Sequence, residues 1–369
     1  MENPDNGNNQ GSMFACTNCG AELKYKPGTT RIRCDYCDTE NEIPQIEVKI
    51  EELDFNGYLD KSSESSDKVT VHLVKCEQCG ASSSVDPNIR SEYCPYCSAP
   101  LIISSAHDEL MLQPKYILPF KLDKNEAQRL FTNWINKLWF APNKLKKATL
   151  NFEHFKGVYI PYWTYDSDTE SYYTGQRGTY YYVTETYSTT VNGKSVMKTR
   201  QVRKTRWTSV TGQVSVNFDD VLIVASRSLP DEYVYALEPW DLNNLAPYDS
   251  KYLSGFVTEK YQIGLKEGFE PAKVKMDSAI RENIRIDIGG DDQRILQVST
   301  DYKNITFKHI LLPVYVSAYR YGGKLFRFLV NARTGEVQGE RPLSWQKIAL
   351  AAAAGILIIG TIIYFTYNG

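Results

Sequence analysis

The sequence predicts a multidomain protein with two small cysteine-rich modules, an α+β domain rich in antiparallel sheet, and one C-terminal transmembrane helix. Three observations support this: a duplicated cysteine pattern, a middle region of aromatic and β-branched segments, and an uninterrupted apolar segment near the end. The predicted parts are a disordered tail at 1–13, a first module at 14–45, a flexible acidic linker at 46–73, a second module at 74–103, the α+β domain at 104–343 with a projecting hairpin at 179–207, and a membrane anchor at 344–369.

All eight cysteines belong to the duplicated pattern. Two Cys-x2-Cys pairs are separated by fourteen residues, and the same arrangement returns sixty positions later. Gly20 and Gly80, which follow the first pair of each copy, permit the tight turn that such a knuckle needs. Two knuckles joined by a short hairpin place four thiolates in a tetrahedral array, which is typical of structural Zn²⁺. The sequence therefore predicts two zinc ribbons, with the ligands Cys16, Cys19, Cys34 and Cys37 in the first and Cys76, Cys79, Cys94 and Cys97 in the second.

Three other uses of these cysteines are open: disulfides, redox chemistry, and iron in a rubredoxin-like site, to which Cys94-Pro-Tyr-Cys97 is similar. A reducing compartment favours metal over disulfides. Redox Cys-x2-Cys motifs normally occur singly near a βαβ unit, which the sequence does not predict. A site closed by four thiolates leaves no coordination position for water, so we expect a structural role.

The apolar segment Ile348–Tyr367 is twenty residues long and contains no charge and no proline. As a helix it would span about 30 Å, the thickness of the hydrocarbon core of a bilayer. The alternative is a buried helix of a soluble domain, which usually has a shorter continuous apolar run. Arg341 and Lys347 precede the segment, whereas only Asn368 and Gly369 follow it. This charge bias predicts a single-pass, tail-anchored protein of the cell membrane whose N-terminal bulk is cytoplasmic.

Composition narrows the function classes further. A net charge of −2 gives no global attraction to nucleic acid or lipid, so any such site must be local. The N-terminus is polar and lacks the basic and then apolar layout of a signal peptide, which agrees with a cytoplasmic body.

The α+β domain is predicted from strand-like segments at 155–166, 220–226, 309–321 and 325–330. Two helices are expected: one after a capping box formed by Asp123 and Glu126, and one around 271–285 with Pro271 early in it.

The hairpin at 179–207 is predicted from Asn192-Gly193, a strong two-residue turn signal. Its second strand carries five basic residues on one face, with Arg203 on the other: Lys194, Lys198, Arg200, Lys204 and Arg206. Three interpretations are open for this candidate anionic-ligand patch: a solvated hairpin, contact with nucleic acid, and contact with anionic lipid.

No arrangement of residues predicts catalysis, and we expect a protein that is not an enzyme. Gly193-Lys194-Ser195 lacks the earlier glycine and the strand-to-helix context of a P-loop. His72, His107, His154 and His309 lie in unrelated segments and are expected to be surface or satisfied polar residues. The acidic pairs Asp219-Asp220 and Asp291-Asp292 are expected to point apart on a strand or to form a turn.

The whole arrangement resembles a family of bacterial tail-anchored membrane proteins described as TFIIB-type zinc ribbon-containing. The resemblance covers nearly the whole chain and rests on the Cys-x2-Cys-Gly ribbon and on Tyr159–Tyr165, Tyr248–Tyr261, Leu312–Tyr315 and Asn331–Pro342. Two departures are a second ribbon, where many relatives carry one, and Asn-Ala-Arg-Thr-Gly in place of Asn-Gly-x-Thr-Gly.

Members of this family are often named primosomal protein N′ or replication-restart helicase. The sequence argues against a helicase, since it has no Walker A motif and too few residues for two helicase lobes. The resemblance implies instead a membrane-associated partner of phage-shock or SPFH-type envelope proteins. We therefore expect an adaptor that recruits protein partners, and the alternative is a membrane-tethered nucleic-acid-binding protein related to replication or transcription.

Overall fold

The structure is a computed structural model, and it describes residues 15–43, 50–61, 68–84, 92–143, 155–191, 194–341 and 343–368. The predicted disordered tail at 1–13 and the predicted turn residues Asn192 and Gly193 lie outside the described residues.

The helices and strands follow one another from the first cysteine module to the C-terminus. In chain order they are β1 (Arg31–Arg33), β2 (Glu40–Glu42), β3 (Leu53–Asp54), α1 (Phe55–Lys61), β4 (Lys68–Lys75), β5 (Ser82–Ser84), β6 (Glu92–Tyr93), β7 (Pro100–Leu101), β8 (His107–Leu112), β9 (Tyr116–Ile117), α2 (Lys124–Lys137), β10 (Lys156–Val191), β11 (Lys194–Val224), α3 (Asp231–Tyr235), β12 (Ala246–Pro247), β13 (Val257–Thr258), α4 (Leu265–Ile288), β14 (Asp292–Tyr321), β15 (Lys324–Asn331), β16 (Val337–Gly339) and α5 (Trp345–Asn368).

A large sheet confirms the predicted α+β body. Its main strands lie in the order β11-β10-β14-β15-β16, and neighbours in this order are antiparallel. The central strand β10 is 36 residues long. It pairs with β14 from Lys156 to Gly178 and with β11 from Tyr162 to Val191. The last part of β10 therefore forms a two-stranded ribbon with the start of β11.

The first part of β10 is buried on both of its faces. Tyr159 packs in one core with α2 and the first cysteine module, and Ile160 packs in another core with the second module. A strand covered on both sides needs apolar or aromatic side chains at successive positions, and Tyr159–Tyr165 supplies them. This segment holds both modules against the body.

Helix α2 begins where the sequence indicates. The Asp123 carboxylate accepts a 2.7 Å hydrogen bond from the Glu126 backbone N–H, as expected of an N-cap.

Helix α4 begins earlier than the predicted start near Pro271. Its N-cap is Gly264, so Pro271 lies inside the helix. Buried residues of the first turns, including Leu265 and Phe269, pack against the sheet. The hydroxyl of Tyr165 donates a 2.6 Å hydrogen bond to the Leu265 carbonyl. Tertiary packing therefore extends the helix in spite of the unfavourable proline.

The segment 46–73 was expected to be a flexible acidic linker, and the described parts of it, 50–61 and 68–73, are folded. Strand β3 pairs with β14, and α1 follows it directly. Phe55 is buried, with its ring 5.0 Å from that of Phe269. Leu53, Tyr58 and Leu59 pack against the same core as Phe55. The acidic composition concealed these apolar residues, so these parts are folded where the sequence predicted a flexible linker.

Helix α5 is long and apolar enough to cross a membrane, and none of its apolar window is buried against the rest of the protein. Its start is tied to the body. Lys347 donates hydrogen bonds to the carbonyls of Trp139 (3.1 Å) and Ala141 (2.8 Å). Ala141 belongs to the core that also contains Phe155, next to the beginning of β10. The anchor therefore leaves the body at the end of β10 opposite to the ribbon.

Candidate metal centres

The first cysteine module brings its four predicted ligands together. The Sγ atoms of Cys16 and Cys37 are 3.5 Å apart, and those of Cys19 and Cys34 are 3.7 Å apart. All four sulfurs lie within 4.8 Å of one another. These distances allow the four sulfurs to bind one and the same metal ion.

The second module repeats this arrangement. The Sγ atoms of Cys76 and Cys97 are 3.6 Å apart, as are those of Cys79 and Cys94. These four sulfurs also lie within 4.8 Å of one another. Both quartets are close enough to hold a metal ion.

Backbone turns explain why the sulfurs converge. In each first knuckle the glycine donates its N–H to the carbonyl of the first cysteine: Gly20 to Cys16 at 2.9 Å and Gly80 to Cys76 at 2.8 Å. Both glycines have positive φ, 72° and 78°, as the spacing predicted.

The second knuckles use residues other than glycine at the equivalent position. Asp38 and Ser98 have φ of 59° and 58°, and each donates its N–H to the carbonyl of the first cysteine of its knuckle. The sequence signal is weaker at these two positions, since serine and aspartate indicate positive φ less strongly than glycine does.

The geometry fits a tetrahedral metal and does not fit disulfides. Four thiolates about 2.3 Å from one ion would be about 3.8 Å apart, close to the observed 3.5–3.7 Å. A disulfide needs a sulfur separation of about 2.05 Å. All eight cysteines are free in the structure.

Each quartet contains a thiol that ionises readily. Hydrogen bonding with the Thr39 hydroxyl, whose Oγ1 lies 3.3 Å from Sγ, lowers the pKa of Cys37 to about 6. Hydrogen bonding with Cys94 lowers the pKa of Cys79 to about 5. Other thiols of the quartets are shifted the opposite way: hydrogen bonding with Cys37 raises the pKa of Cys19 to about 12, and burial raises the pKa of Cys97 to about 11. Each quartet therefore combines a thiol that readily forms the thiolate, which is the form that binds metal, with at least one thiol that holds its proton.

Asn41 supports the first site from outside the quartet. Its side-chain amide lies 3.6 Å from Cys16 Sγ, and its Oδ1 accepts a 2.8 Å hydrogen bond from the Thr17 N–H. Asn41 is buried and belongs to β2. Sequence spacing gave no signal for this residue, because only the folded hairpin brings it to the cysteines.

The second module is joined to the body through a buried carboxylate. Glu259 accepts hydrogen bonds from the hydroxyls of Tyr96 (2.8 Å) and Ser226 (2.6 Å) and from the amide of Gln262 (3.2 Å). Burial raises the pKa of Glu259 to about 7. Tyr96 lies between Cys94 and Cys97, so this contact fixes the metal knuckle to the sheet.

A second polar cluster surrounds Lys308, whose side chain is 3% exposed. Its Nζ lies 2.9 Å from Glu52, 2.7 Å from Asp220 and 3.6 Å from Asp166. A carboxylate oxygen of Asp219 also lies within 4.8 Å of those of Glu52 and Asp166. Both members of the acidic pair therefore reach this cluster, although they were expected to point apart on a strand. A bulge at Asp220, with φ of 53°, turns the strand there. The ammonium of Lys308 offsets part of the negative charge of these carboxylates.

The described histidines do not form a common site. His72 Nδ1 lies 2.8 Å from Asp108, and His107 is exposed in β8. His309 is buried against the Trp163 ring, and desolvation lowers its pKa to about 3. His154 lies outside the described residues. Asp291 and Asp292 follow two glycines with positive φ in the turn between α4 and β14.

The predicted basic patch lies on the exposed ribbon at the end of β10. Glu185 pairs with Arg200 (3.4 Å) and Lys204 (3.2 Å), which reduces the free charge. Two arginines of the patch stack on tyrosines of β10, with Arg200 over Tyr187 and Arg206 over Tyr181, both 5.4 Å from the ring centre. Lys194 and Lys198 are exposed beyond these pairs. The patch is partly neutralised and its arginines are held by aromatic rings.

Comparison with known proteins identifies a distant relative. No family model matches the chain, and no solved structure matches it. The chain is 25% identical over 339 residues to the uncharacterized protein YdjG of Bacillus subtilis strain 168, and the match covers 91% of this chain and 92% of YdjG. The similarity therefore includes most of the sheet body.

Proposed function

We propose that this protein is a membrane-anchored, non-enzymatic adaptor that recruits protein partners at the cytoplasmic face of the cell membrane. The observation that carries the proposal is the C-terminal helix. Large apolar residues such as Ile358 and Phe365 are exposed all along it, and a bilayer would cover them. A body attached to such a helix works at a membrane surface.

Zinc is the metal that suits the two quartets best. Four thiolates in tetrahedral arrangement are typical of structural zinc, and such closed sites organise small modules instead of activating water. Zinc-ribbon modules offer rigid surfaces without a large core of their own, which suits docking.

The orientation follows from charge. Arg341 and Lys347 lie just before the apolar segment Ile348–Tyr367. Basic residues favour the cytoplasmic side, so the modules and the sheet would face the cytoplasm. The TFIIB-type zinc ribbon family, which the chain resembles, would make phage-shock or SPFH-type envelope proteins the partners.

Co-purification from membranes tests the adaptor role. Full-length protein with an affinity tag is cross-linked in its native host, extracted in mild detergent and analysed by mass spectrometry. We expect a small set of proteins at near-stoichiometric yield. A matched Cys34→Ser variant, which disrupts the first quartet, should lose part of that set. Recovery of no protein above the level of an untagged control would contradict the proposal.

The rival function is a membrane-tethered nucleic-acid-binding protein. The hairpin 179–207 contains six Lys or Arg residues and one acidic residue, although the chain as a whole has a net charge of −2. Basic side chains beside aromatic rings suit phosphate contact and base stacking. The ribbon and the anchor lie at opposite ends of β10, which disfavours the other alternative, contact of the ribbon with lipid of the same membrane.

Anisotropy with a labelled DNA duplex separates the two functions. The rival predicts binding that weakens steeply with salt and disappears when the five patch residues are replaced by Gln. The adaptor predicts equal, weak binding by both proteins.

A further inference from the structure

The two cysteine modules are copies of one another, and their second knuckles have opposite environments. Positions sixty apart correspond, so Tyr36 between Cys34 and Cys37 matches Tyr96 between Cys94 and Cys97. Tyr96 is 0% exposed, whereas Tyr36 is 82% exposed. The same structural position is a buried contact in one copy and an open surface in the other.

The second module shows how this knuckle binds a protein surface. The Tyr96 hydroxyl donates to the carboxylate of Glu259 at 2.8 Å, and both residues are buried. Arg327 Nε donates to the backbone carbonyl of Tyr96 at 3.1 Å, and the Ser98 hydroxyl donates to the Ala318 carbonyl at 2.9 Å. This knuckle thus inserts Tyr96 into the body. The carboxylate of Glu259 accepts a hydrogen bond from its side chain, and the guanidinium of Arg327 donates one to its backbone.

The first module is attached to the body by a different surface. The Tyr25 hydroxyl donates to the Phe120 carbonyl at 3.2 Å, and the Tyr25 N–H donates to the Ser254 carbonyl at 3.1 Å. Leu23 and Ile43 are buried in the same core. The body therefore fixes the hairpin side of this module and leaves its second knuckle exposed.

Charge distinguishes the two knuckles. Three acidic residues surround Tyr36, and the residues that correspond to them around Tyr96 are uncharged: Asp35, Asp38 and Glu40 correspond to Pro95, Ser98 and Pro100. Arg33 pairs with Asp38 at 3.1 Å and Arg31 lies 3.9 Å from Glu40, whereas Asp35 forms no ion pair with the described residues; all of these charges are exposed. A surface that accepts the first knuckle would therefore need Arg or Lys on the part of its rim that faces Asp35.

We infer that the second knuckle of the first module, with Tyr36 at its centre, is the docking surface for a partner protein. The partner presents a tyrosine pocket with a carboxylate acceptor at its floor and Arg or Lys at its rim. The inference rests on the proposed adaptor function and gives that function a specific surface. Tyrosine is a frequent energetic centre of such interfaces, because it buries a large area and keeps one polar contact.

Site-specific photo-crosslinking tests this surface in the full-length protein. The photoreactive residue benzoylphenylalanine replaces Tyr36 in the native host, and a second variant carries it at Tyr93, a residue of the second module that is 52% exposed. We expect a discrete protein adduct from position 36 and none from position 93. The cross-linked peptide of the partner should contain Asp or Glu with Lys or Arg close by. Two metal ions per chain in each variant would show that the modules remain folded.

Charge reversal at Asp35 is the second part of this experiment. Asp35→Lys in the position-36 variant should reduce the adduct strongly, because the rim of the partner is basic, and high salt should do the same. Adducts of equal yield at 36 and 93, an adduct only with a second copy of the chain, an adduct only with lipid, or an adduct unaffected by Asp35→Lys would each overturn the inference. If partners co-purify but position 36 yields no adduct, this surface is wrong and the adaptor stands. If no protein co-purifies either, both the docking surface and the adaptor function are contradicted.

Discussion

Two buried ionisable side chains join segments that are distant in the sequence. Lys308 of β14 contacts Glu52 before β3 and Asp220 of β11. Glu259 accepts a hydrogen bond from Tyr96, 163 positions away. Such groups are costly to bury alone and tolerable only with their partners in place. They therefore report on whether the segments have assembled.

Replacing Lys308 by Met should destabilise the protein by about 3–5 kcal/mol, because it leaves the surrounding carboxylates without a counter-charge. Chemical denaturation of the full-length protein in detergent measures the change. Lys303→Met is the control, since Lys303 pairs with Glu170 in a half-exposed position and should cost less than about 1 kcal/mol. Equal effects of the two substitutions would contradict the role assigned to Lys308.

Glu259→Gln should change how stability depends on pH. Burial raises the pKa of Glu259 from 4.5 to about 7. The protonated Glu259 carboxyl therefore gives its full contribution to stability below about pH 4.5. This contribution, about 3 kcal/mol, is lost as the pH rises from 4.5 through 7. Gln resembles the protonated form and has no such loss. Between pH 4.5 and 7, the free energy of unfolding of the variant should therefore rise relative to that of the parent protein. Above pH 7 the difference between the two proteins should stay constant. If the two proteins gave parallel curves of unfolding free energy against pH, the raised pKa of the buried Glu259 would be contradicted.

At the scale of single elements, the knuckles form mainly from their own sequence, whereas their environments depend on the body. The spacing of the cysteines was enough to predict both quartets. The spacing could not show that the knuckle at Cys94 is buried while the one at Cys34 carries an exposed tyrosine. That difference depends on contacts with Glu259 and Arg327, which are distant in the chain.

Cys34→Ser and Cys94→Ser should each lower the metal content from about two ions per chain to one. Their structural effects should differ. Cys94→Ser should also expose the body to limited proteolysis, because its knuckle packs on the sheet, and Cys34→Ser should expose only the first module. Mass analysis of the fragments distinguishes the patterns, and identical patterns would contradict the observed packing.

Helices and the acidic segment show where sequence patterns failed. The start of α2 follows from its N-cap, Asp123, which acts locally. The start of α4 does not follow from Pro271, since Leu265 and Phe269 extend the helix by packing on the sheet. Likewise Phe55 folds part of the expected linker by inserting between Phe269 and Phe307. Local signals were predictable, and long-range packing was not.

At the scale of the whole molecule, the anchor and the ribbon lie at opposite ends of β10. Lys347 ties the anchor to the loop after α2, near the beginning of β10, and the ribbon occupies its last residues. The proposed anchor therefore starts at the end of the sheet away from the ribbon, and both modules pack beside the sheet.

Deleting residues 345–369 should release the protein from the membrane without unfolding it, because the rest of the protein buries none of the apolar window of α5. Fractionation should place the truncated protein in the supernatant with about two metal ions per chain, and the full-length protein in the pellet. Loss of metal on truncation would show that the helix also supports the modules.

The most direct test of the account is elemental analysis of full-length protein extracted from membranes that have been washed with alkaline carbonate. The account predicts that the protein stays in the washed membranes and contains about two zinc ions per chain, with all eight thiols reduced. Protein that is released by the wash, or that is metal-free with its cysteines oxidised in pairs, would contradict it.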